Sequence, residues 1–408
     1  MKLITLTPVH IGNGDVLKPL SYVTDRNSLY VLDMEKFFAT LSEDQREKYL
    51  RWIDPVVDKL AELDRRIDQA KGSWDLKRQL SRQKRDVEAQ LSIGWFIENR
   101  LGLNPVNLAK KCQVYQVTFS SRPGREGFRT HIKNAQNEPY IPGTEIKGAM
   151  RTSLLYSLLG DDKNYKIVKE SLESFRSFFR SRASRKNKME KLAKIADAQS
   201  NEGLERRLLR GKDRDAKYDF LKLIGISDTD SFPHDRLQIS TIRVIGSTRS
   251  IRIWGETLNP KTTFHFALNT HKKALLEELK LERLQDFLYP PELLEACYHR
   301  SKEILEEEEK YFSSEKDVLE RIDELKRENQ PNSPLLRLGA GQGFLGTTIG
   351  LKVKQNDPSL YDEAIREGVS FLRGWETQPG RFPKTRRVIE DNKRNPVSLL
   401  GWVKLELT

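Results

Sequence analysis

The 408-residue chain contains only two cysteines, Cys112 and Cys297, with no Cys-x-x-Cys pair. That count disfavours both a disulfide framework and a thiolate zinc site, and it fits a reducing compartment, expected to be the cytoplasm. No stretch approaches the ~18 consecutive apolar residues of a membrane-spanning helix, so no membrane partner is expected. The opening segment, Met1 to Pro8, is too short and too polar for a secretory signal. A P-loop is missing as well. Gly143 and Gly148 have its spacing, but Ala149 and Met150 stand where Lys and Ser/Thr would reach phosphate and Mg²⁺.

Charge is what the sequence has in quantity. Lys and Arg number 71 against 59 Asp and Glu, a net charge of +12 with a pI near 9.4. Hydrophobic residues are only 37% of the chain, yet aromatics reach 9% and are spread along it, which reads as a folded protein with long charged helices. A cationic surplus fits an anionic partner, nucleic acid first. The charge is also segregated. Residues 166–194 hold ten Lys/Arg and three Glu, whereas residues 301–329 hold six basic and eleven acidic side chains. The first run is read equally as an RNA contact and as a solvated helix face.

Hydrophobic periodicity divides the chain into strand clusters and helical blocks. Leu3–Thr7 and Leu29–Leu32 read as strands, with a tight turn at Gly12–Asp15 between them. Residues 34–101 read as a helical insertion: Ser42 and Gln45 form a capping box, Val56, Leu60, Leu63 and Ile67 one stripe, and Leu76, Leu80, Val87, Leu91 and Trp95 another. Strand character returns at Gln113–Phe119, and Thr144 is placed to cap a helix with Ile146, Met150 and Leu154 inside. A basic helical block (161–235), core strands (236–270), a further helical insertion (271–331, broken at Pro290–Pro291) and a glycine-rich tail (332–408) complete the division. In the tail, Thr347–Val353 reads β-like and Trp402–Leu407 is a closing strand. Clustered strands interrupted by helices predict α+β rather than a doubly wound parallel sheet.

Four segments could carry chemistry. Gly341, Gly343 and Gly346 spell G-x-G-x-x-G with Gln342 inside, but no clear strand precedes it. It is either a loop whose backbone N–H groups meet phosphates or a structural turn. Gly143 and Thr144 open a helix that carries Lys147 and Arg151 four apart on one face, a geometry suited to a phosphate. His10, beside Gly12, Asn13 and Gly14, is an RNA-contacting or turn residue, or alternatively a general acid–base, and no other histidine pairs with it by spacing. Arg122, Arg125, Arg129 and Lys133 recur around Phe128, and Arg381, Lys384 and Arg386 surround Phe382. Guanidinium beside an aromatic ring suits single-stranded RNA.

Taken together, Thr7–Gly14, Pro139–Arg151 and Gly339–Gly350 resemble the RAMP superfamily of CRISPR proteins. The closing Phe382–Thr385 and Leu400–Leu405 segments narrow the likeness to the subunit at the guide 3′ end of type III-A (Csm) effector complexes. The resemblance implies a modified RRM (ferredoxin-like) core with large helical insertions, in which residues 1–33 and 102–160 form the first part of the core. It further implies a non-catalytic, crRNA-binding role without cofactor or metal, in which the subunit caps the backbone filament and supports crRNA maturation in antiviral defence. The implied partners are the 3′ portion of the crRNA, target RNA, and neighbouring RAMP-type backbone and small helical subunits. By this resemblance His10–Gly14 would be the turn near the guide, Pro142–Arg151 the loop and helix start on its phosphates, and Gly339–Gly346 the glycine-rich loop. The RRM ring-stacking signature is absent. The alternative is a metal-independent guide-processing endoribonuclease built on His10, with Tyr22 or Lys147.

Overall fold

Along Lys2–Thr5 half-buried and buried side chains alternate, and Leu3 is wholly enclosed. This strand is the second in a small sheet ordered Thr263–His265, Lys2–Thr5, Trp402–Glu406, Leu335–Arg337, every pair antiparallel. Leu3 lies opposite Leu405, so the two ends of the chain share one core layer. The computed structural model describes residues 1–70, 73–88, 91–180, 201–212, 215–247, 251–270, 274–373 and 382–408.

A larger sheet runs Gly12–Leu17, Phe128–His131, Ile251–Leu258, Leu237–Ile245, Gln113–Phe119, Ser28–Leu32, Tyr22–Asp25. Two of its contacts are parallel, Phe128–His131 with Ile251–Leu258 and Gln113–Phe119 with Leu237–Ile245. The long strand Leu237–Ile245 forks. Gln238 and Ile239 pair with Gln113–Phe119, whereas Thr241–Ile245 pair with Arg386–Glu390, which turns back as Pro396–Leu399. The sheets meet where Val9 bridges Leu258, and Leu3, Val9, Phe128, Phe264 and Val403 share the main core with Ile146 and Leu154 of the helix Gly143–Leu158. The α+β architecture holds.

The first helical insertion comprises Met34–Thr40, Glu43–Gln69, Trp74–Glu88 and Ile93–Asn99. The Ser42–Gln45 capping box is formed. Val56, Leu60, Leu63 and Ile67 meet Leu80 and Val87 in a separate cluster, so the two long helices are held by a small core of their own. Leu76 and Trp95, read as part of the second stripe, are instead exposed.

Three further local readings are corrected. Gly12–Leu17 is an exposed edge strand and not a turn, because the neighbouring strand Phe128–His131 supplies backbone partners that the local sequence cannot reveal. Gly350–Asn356 is helical despite the β-branched residues before it, since Leu351 and Val353 bury their side chains from a helix; tertiary packing overrides propensity. Pro290 lies in the first turn of the helix Pro290–Tyr311, so the prolines start this helix, where a missing N–H is harmless.

Candidate nucleic-acid interface

The helix Gly143–Leu158 begins where the sequence suggests, with different capping. Pro142 precedes it, and Thr144 makes no cap bond and is exposed. The cap comes from a distant loop: the Gly143 N–H donates to Asp228 Oδ1 at 2.8 Å. A carboxylate thus already occupies the positive end of the helix. Gly143 is required sterically, since a Cβ there would stand 2.5 Å from the Ser227 carbonyl oxygen. On the same helix Arg151 donates to Glu205 Oε2 at 2.9 Å and lies 3.5 Å from Asp219. Lys147 is half-buried, and burial together with Arg151 holds its pKa below the ordinary lysine value.

His10 is enclosed. Its Nδ1 donates to the Glu256 carbonyl at 2.6 Å, and burial pulls its pKa below the usual histidine range. The histidine partner hidden from sequence spacing is His131, whose ring lies 6.3 Å from that of His10. His131 Nδ1 accepts from the Ile11 N–H at 3.2 Å, which places its proton on Nε2, facing the Tyr140 carbonyl. Fully buried, His131 has its pKa lowered to about 3. Beside both rings lies Glu256, with no exposure at all. Its carboxylate accepts from Tyr115 Oη at 2.7 Å, from the His131 N–H at 2.8 Å, and from the Lys133 ammonium. Lys133 also lies over the Tyr115 ring. Lys133, expected to meet RNA, is therefore committed to an internal carboxylate.

Around this buried knot the surface is different. Gly12, Asn13 and Gly14 are exposed on the edge strand, where Asn13 Oδ1 accepts from Thr130 Oγ1 at 2.5 Å. Val16 of that strand pairs with Arg129, whose side chain is exposed. The glycine loop is fastened alongside: Ala340 N–H donates to the His10 carbonyl at 2.8 Å. Gly339 has φ +64°, and a Cβ there would stand 2.2 Å from the His10 oxygen, so only glycine allows the approach. Gly341 packs on Leu400, Gln342 is half-buried with its side-chain amide on the Gly339 carbonyl, and Gly343 is exposed. Arg122 and Arg125 are exposed on a loop whose Ser121 accepts from Trp254 Nε1 at 3.3 Å. Among the described residues Arg122, Arg125 and Arg129 have no carboxylate partner.

The tail divides likewise. Arg381 lies outside the described residues, and Lys384 is exposed. Arg386 is buried, donates to Glu308 Oε1 at 2.8 Å and lies 4.3 Å above the Tyr311 ring, so it too is structural. Its neighbour Arg387 is half-buried, and burial first and then the charge of Arg129 lower its pKa. Of the 166–194 run, residues 181–194 lie outside the described residues. Arg176 pairs with Glu363 at 2.8 Å and Lys169 lies 3.8 Å from Asp357, both in the segment around the helix Pro358–Arg373.

Arg129 stands directly across from the edge strand Gly12–Leu17, and exposed guanidiniums and open glycine backbone of this kind suit phosphate oxygens. The residues that sequence reasoning missed as organisers are Glu256, His131, Tyr115 and Asp228. Each acts through a partner between 85 and 141 positions away, and no local signal marks such pairs. Among the described residues no cluster of His, Cys, Asp and Glu could hold a metal ion, and no helix is long and apolar enough to cross a membrane.

Comparison with known proteins places these features in a family context. The family model for the RAMP superfamily matches residues 2–345. A CRISPR system Cms protein Csm5 from Methanocaldococcus jannaschii is 23% identical over 439 residues, covering 100% of this chain and 88% of the relative. A protein of the same name from Streptococcus thermophilus is 26% identical over 160 residues, 38% of this chain and 37% of that one. Among solved structures, a chain from the cryo-EM Csm–crRNA–target RNA ternary complex of a type III-A CRISPR-Cas system superposes with a TM-score of 0.68 at 21% identity, covering 99% of both chains. The crystal structure of T. onnurineus Csm5 gives 0.58 at 20% identity, covering 99% of this chain and 100% of that one.

Proposed function

The chain belongs to the RAMP superfamily, and from that premise we propose that it is a crRNA-binding subunit of a type III-A (Csm) ribonucleoprotein. It holds the 3′ portion of the guide, ends the filament of backbone subunits, and leaves catalysis to others. The observation that carries this reading is the sorting of the cations that the sequence singles out. Lys133, Arg151 and Arg386 are used internally, whereas Arg122, Arg125 and Arg129 stay exposed without carboxylates among the described residues, Arg129 directly across from the open edge strand Gly12–Leu17. Guanidiniums and glycine amides at the end of a sheet bind a backbone without demanding a base sequence, as a guide-holding subunit requires.

Catalytic silence is part of the same reading. An imidazole that is 3% exposed and bonded to a carbonyl is poorly placed to take a proton from a ribose hydroxyl. Tyr22 is equally enclosed, with its phenol pushed up to about 12 by burial.

The test is binding of a repeat-derived guide RNA by the assembled complex and by the isolated chain, across a salt series. Binding should weaken with a log–log slope of ~0.7 per phosphate contacted, and the RNA should stay intact. Salt-independent binding, or cleavage that His10→Ala abolishes while RNA is still bound, would overturn the proposal.

A further inference from the structure

The helical insertion carries a surface with no role in the site above. Trp74 opens the helix Trp74–Glu88 and is 72% exposed, the most exposed large apolar side chain among the described residues. Arg78 follows one turn later with its guanidinium 5.4 Å from the Trp74 ring centroid. Arg82 and Arg85 continue along the outward side of the helix, and all three arginines are exposed. Leu80 and Val87, on the opposite side, pack against the helix Glu43–Gln69.

Elsewhere this insertion is laced with ion pairs. Asp44 meets Lys48, Glu47 meets Arg51, Glu62 meets Arg66 and Asp64 meets Lys84. Arg78, Arg82 and Arg85 have no carboxylate partner among the described residues, although Asp75 and Asp86 lie in the same helix. Of the five cations on this helix only Lys84, on the edge facing Asp64, has a carboxylate; Lys77 on that edge and the three outward arginines have none among the described residues. The arginines beside an indole that is 72% exposed leave a complementary place for anions with flat rings. Trp74 to Arg85 spans about 16 Å at 1.5 Å per residue, long enough to run beside several phosphates of one strand. Indole faces accept any base, and arginines take the phosphates on either side.

We infer that the outward face of Trp74–Glu88, through Trp74, Arg78, Arg82 and Arg85, is a second contact surface for single-stranded RNA. A base stacks on Trp74 and the backbone lies along the arginines. At its C-terminal end the surface adjoins the loop that carries Arg125, where Lys18 lies 3.6 Å from Glu88 and 3.8 Å from Glu126, but it is built from different residues than the site around His10. It would hold a strand extending beyond the sheet face, with no sequence preference.

The experiment uses the full chain and a thiouridine-substituted oligouridylate, photocrosslinked and mapped to peptides, with a salt series run in parallel. The expected result is a crosslink at or beside Trp74, lost in Trp74→Ala, and a salt slope lowered by ~2 in Arg78→Gln/Arg82→Gln/Arg85→Gln, at ~0.7 per cation removed. All four side chains are exposed, and an unchanged melting temperature verifies that the variants fold. A control, Arg122→Gln/Arg125→Gln/Arg129→Gln, should keep the Trp74 crosslink. The inference is overturned if no crosslink falls within the helix and its triple variant binds with the wild-type slope, whatever happens at the other surface. It is also overturned if that variant loses a protein subunit from the complex while its RNA slope is unchanged. Should the Trp74 crosslink persist with none around His10, this inference stands and the proposed guide-binding face fails instead.

Discussion

Lys133 and Glu256 form an ion pair inside the protein, where the carboxylate is wholly shielded and the ammonium nearly so. Sequence spacing puts Lys133 among the phosphate-binding arginines, and the fold turns it inward. The pair joins the strand after Phe128 to the strand Ile251–Leu258, and so fixes the platform from which Arg129 projects outward.

Lys133→Met is expected to destabilise the protein by about 3–5 kcal/mol, because Glu256 would remain buried with its charge uncompensated. Tyr115 and the His131 N–H still donate to it, which favours the lower end. Urea denaturation checks this. Arg129→Met, at an exposed position, should change stability by less than about 0.5 kcal/mol while weakening RNA binding.

His10 and His131 are both neutral in the fold, with pKa values below 6.5, that of His131 at about 3. In the unfolded chain they titrate near 6.5, so the unfolded state binds more protons between the two values. Their contribution is complete above about pH 6.5 and is lost as the pH falls towards the folded values. Stability should decline on acidification by up to about 1.4 kcal/mol per pH unit per histidine. His131→Gln should flatten that decline between about pH 6 and pH 5, as read from melts at several pH values.

Gly143→Ala should cost about 1–3 kcal/mol, since the new methyl meets the Ser227 carbonyl at 2.5 Å and the helix start must shift. Asp228→Ala removes the only cap bond to that helix start among the described residues and should cost about 1 kcal/mol. A thermal melt of each variant is sufficient.

Gly339→Ala is expected to disturb the glycine loop itself. It combines a strained positive φ with a methyl 2.2 Å from the His10 carbonyl, and so displaces Ala340 from its bond to that oxygen. RNA affinity should fall more than stability does, as comparison of binding and melting of the same variant would reveal. Gly148→Ala, with open space around it, should leave both unchanged or slightly improved.

What was legible in the sequence was local or periodic. The Ser42 capping box, the stripe Val56–Ile67, the strands Gln113–Phe119 and Leu237–Ile245 and the α+β class follow from spacing alone. The motif order suggested the family, which the match over residues 2–345 shows. Less legible was which cations are available to a ligand. Arg129 and Lys133 lie four apart in the same basic stretch, yet one is exposed and the other is held by a carboxylate 123 positions away. The Gly12–Leu17 strand was hidden because its glycines and Asn read as a turn until a neighbouring strand pairs with them. Thr144 has the residue type of a cap, but a distant Asp228 took the position.

The most direct measurement is a crosslinking map of guide RNA on this chain within the assembled complex. Crosslinks are expected in 12–15, 122–129 and 339–343, with Lys133 and Arg386 unlabelled. Labelling confined to residues 166–180, with those three segments clear, would contradict that expectation.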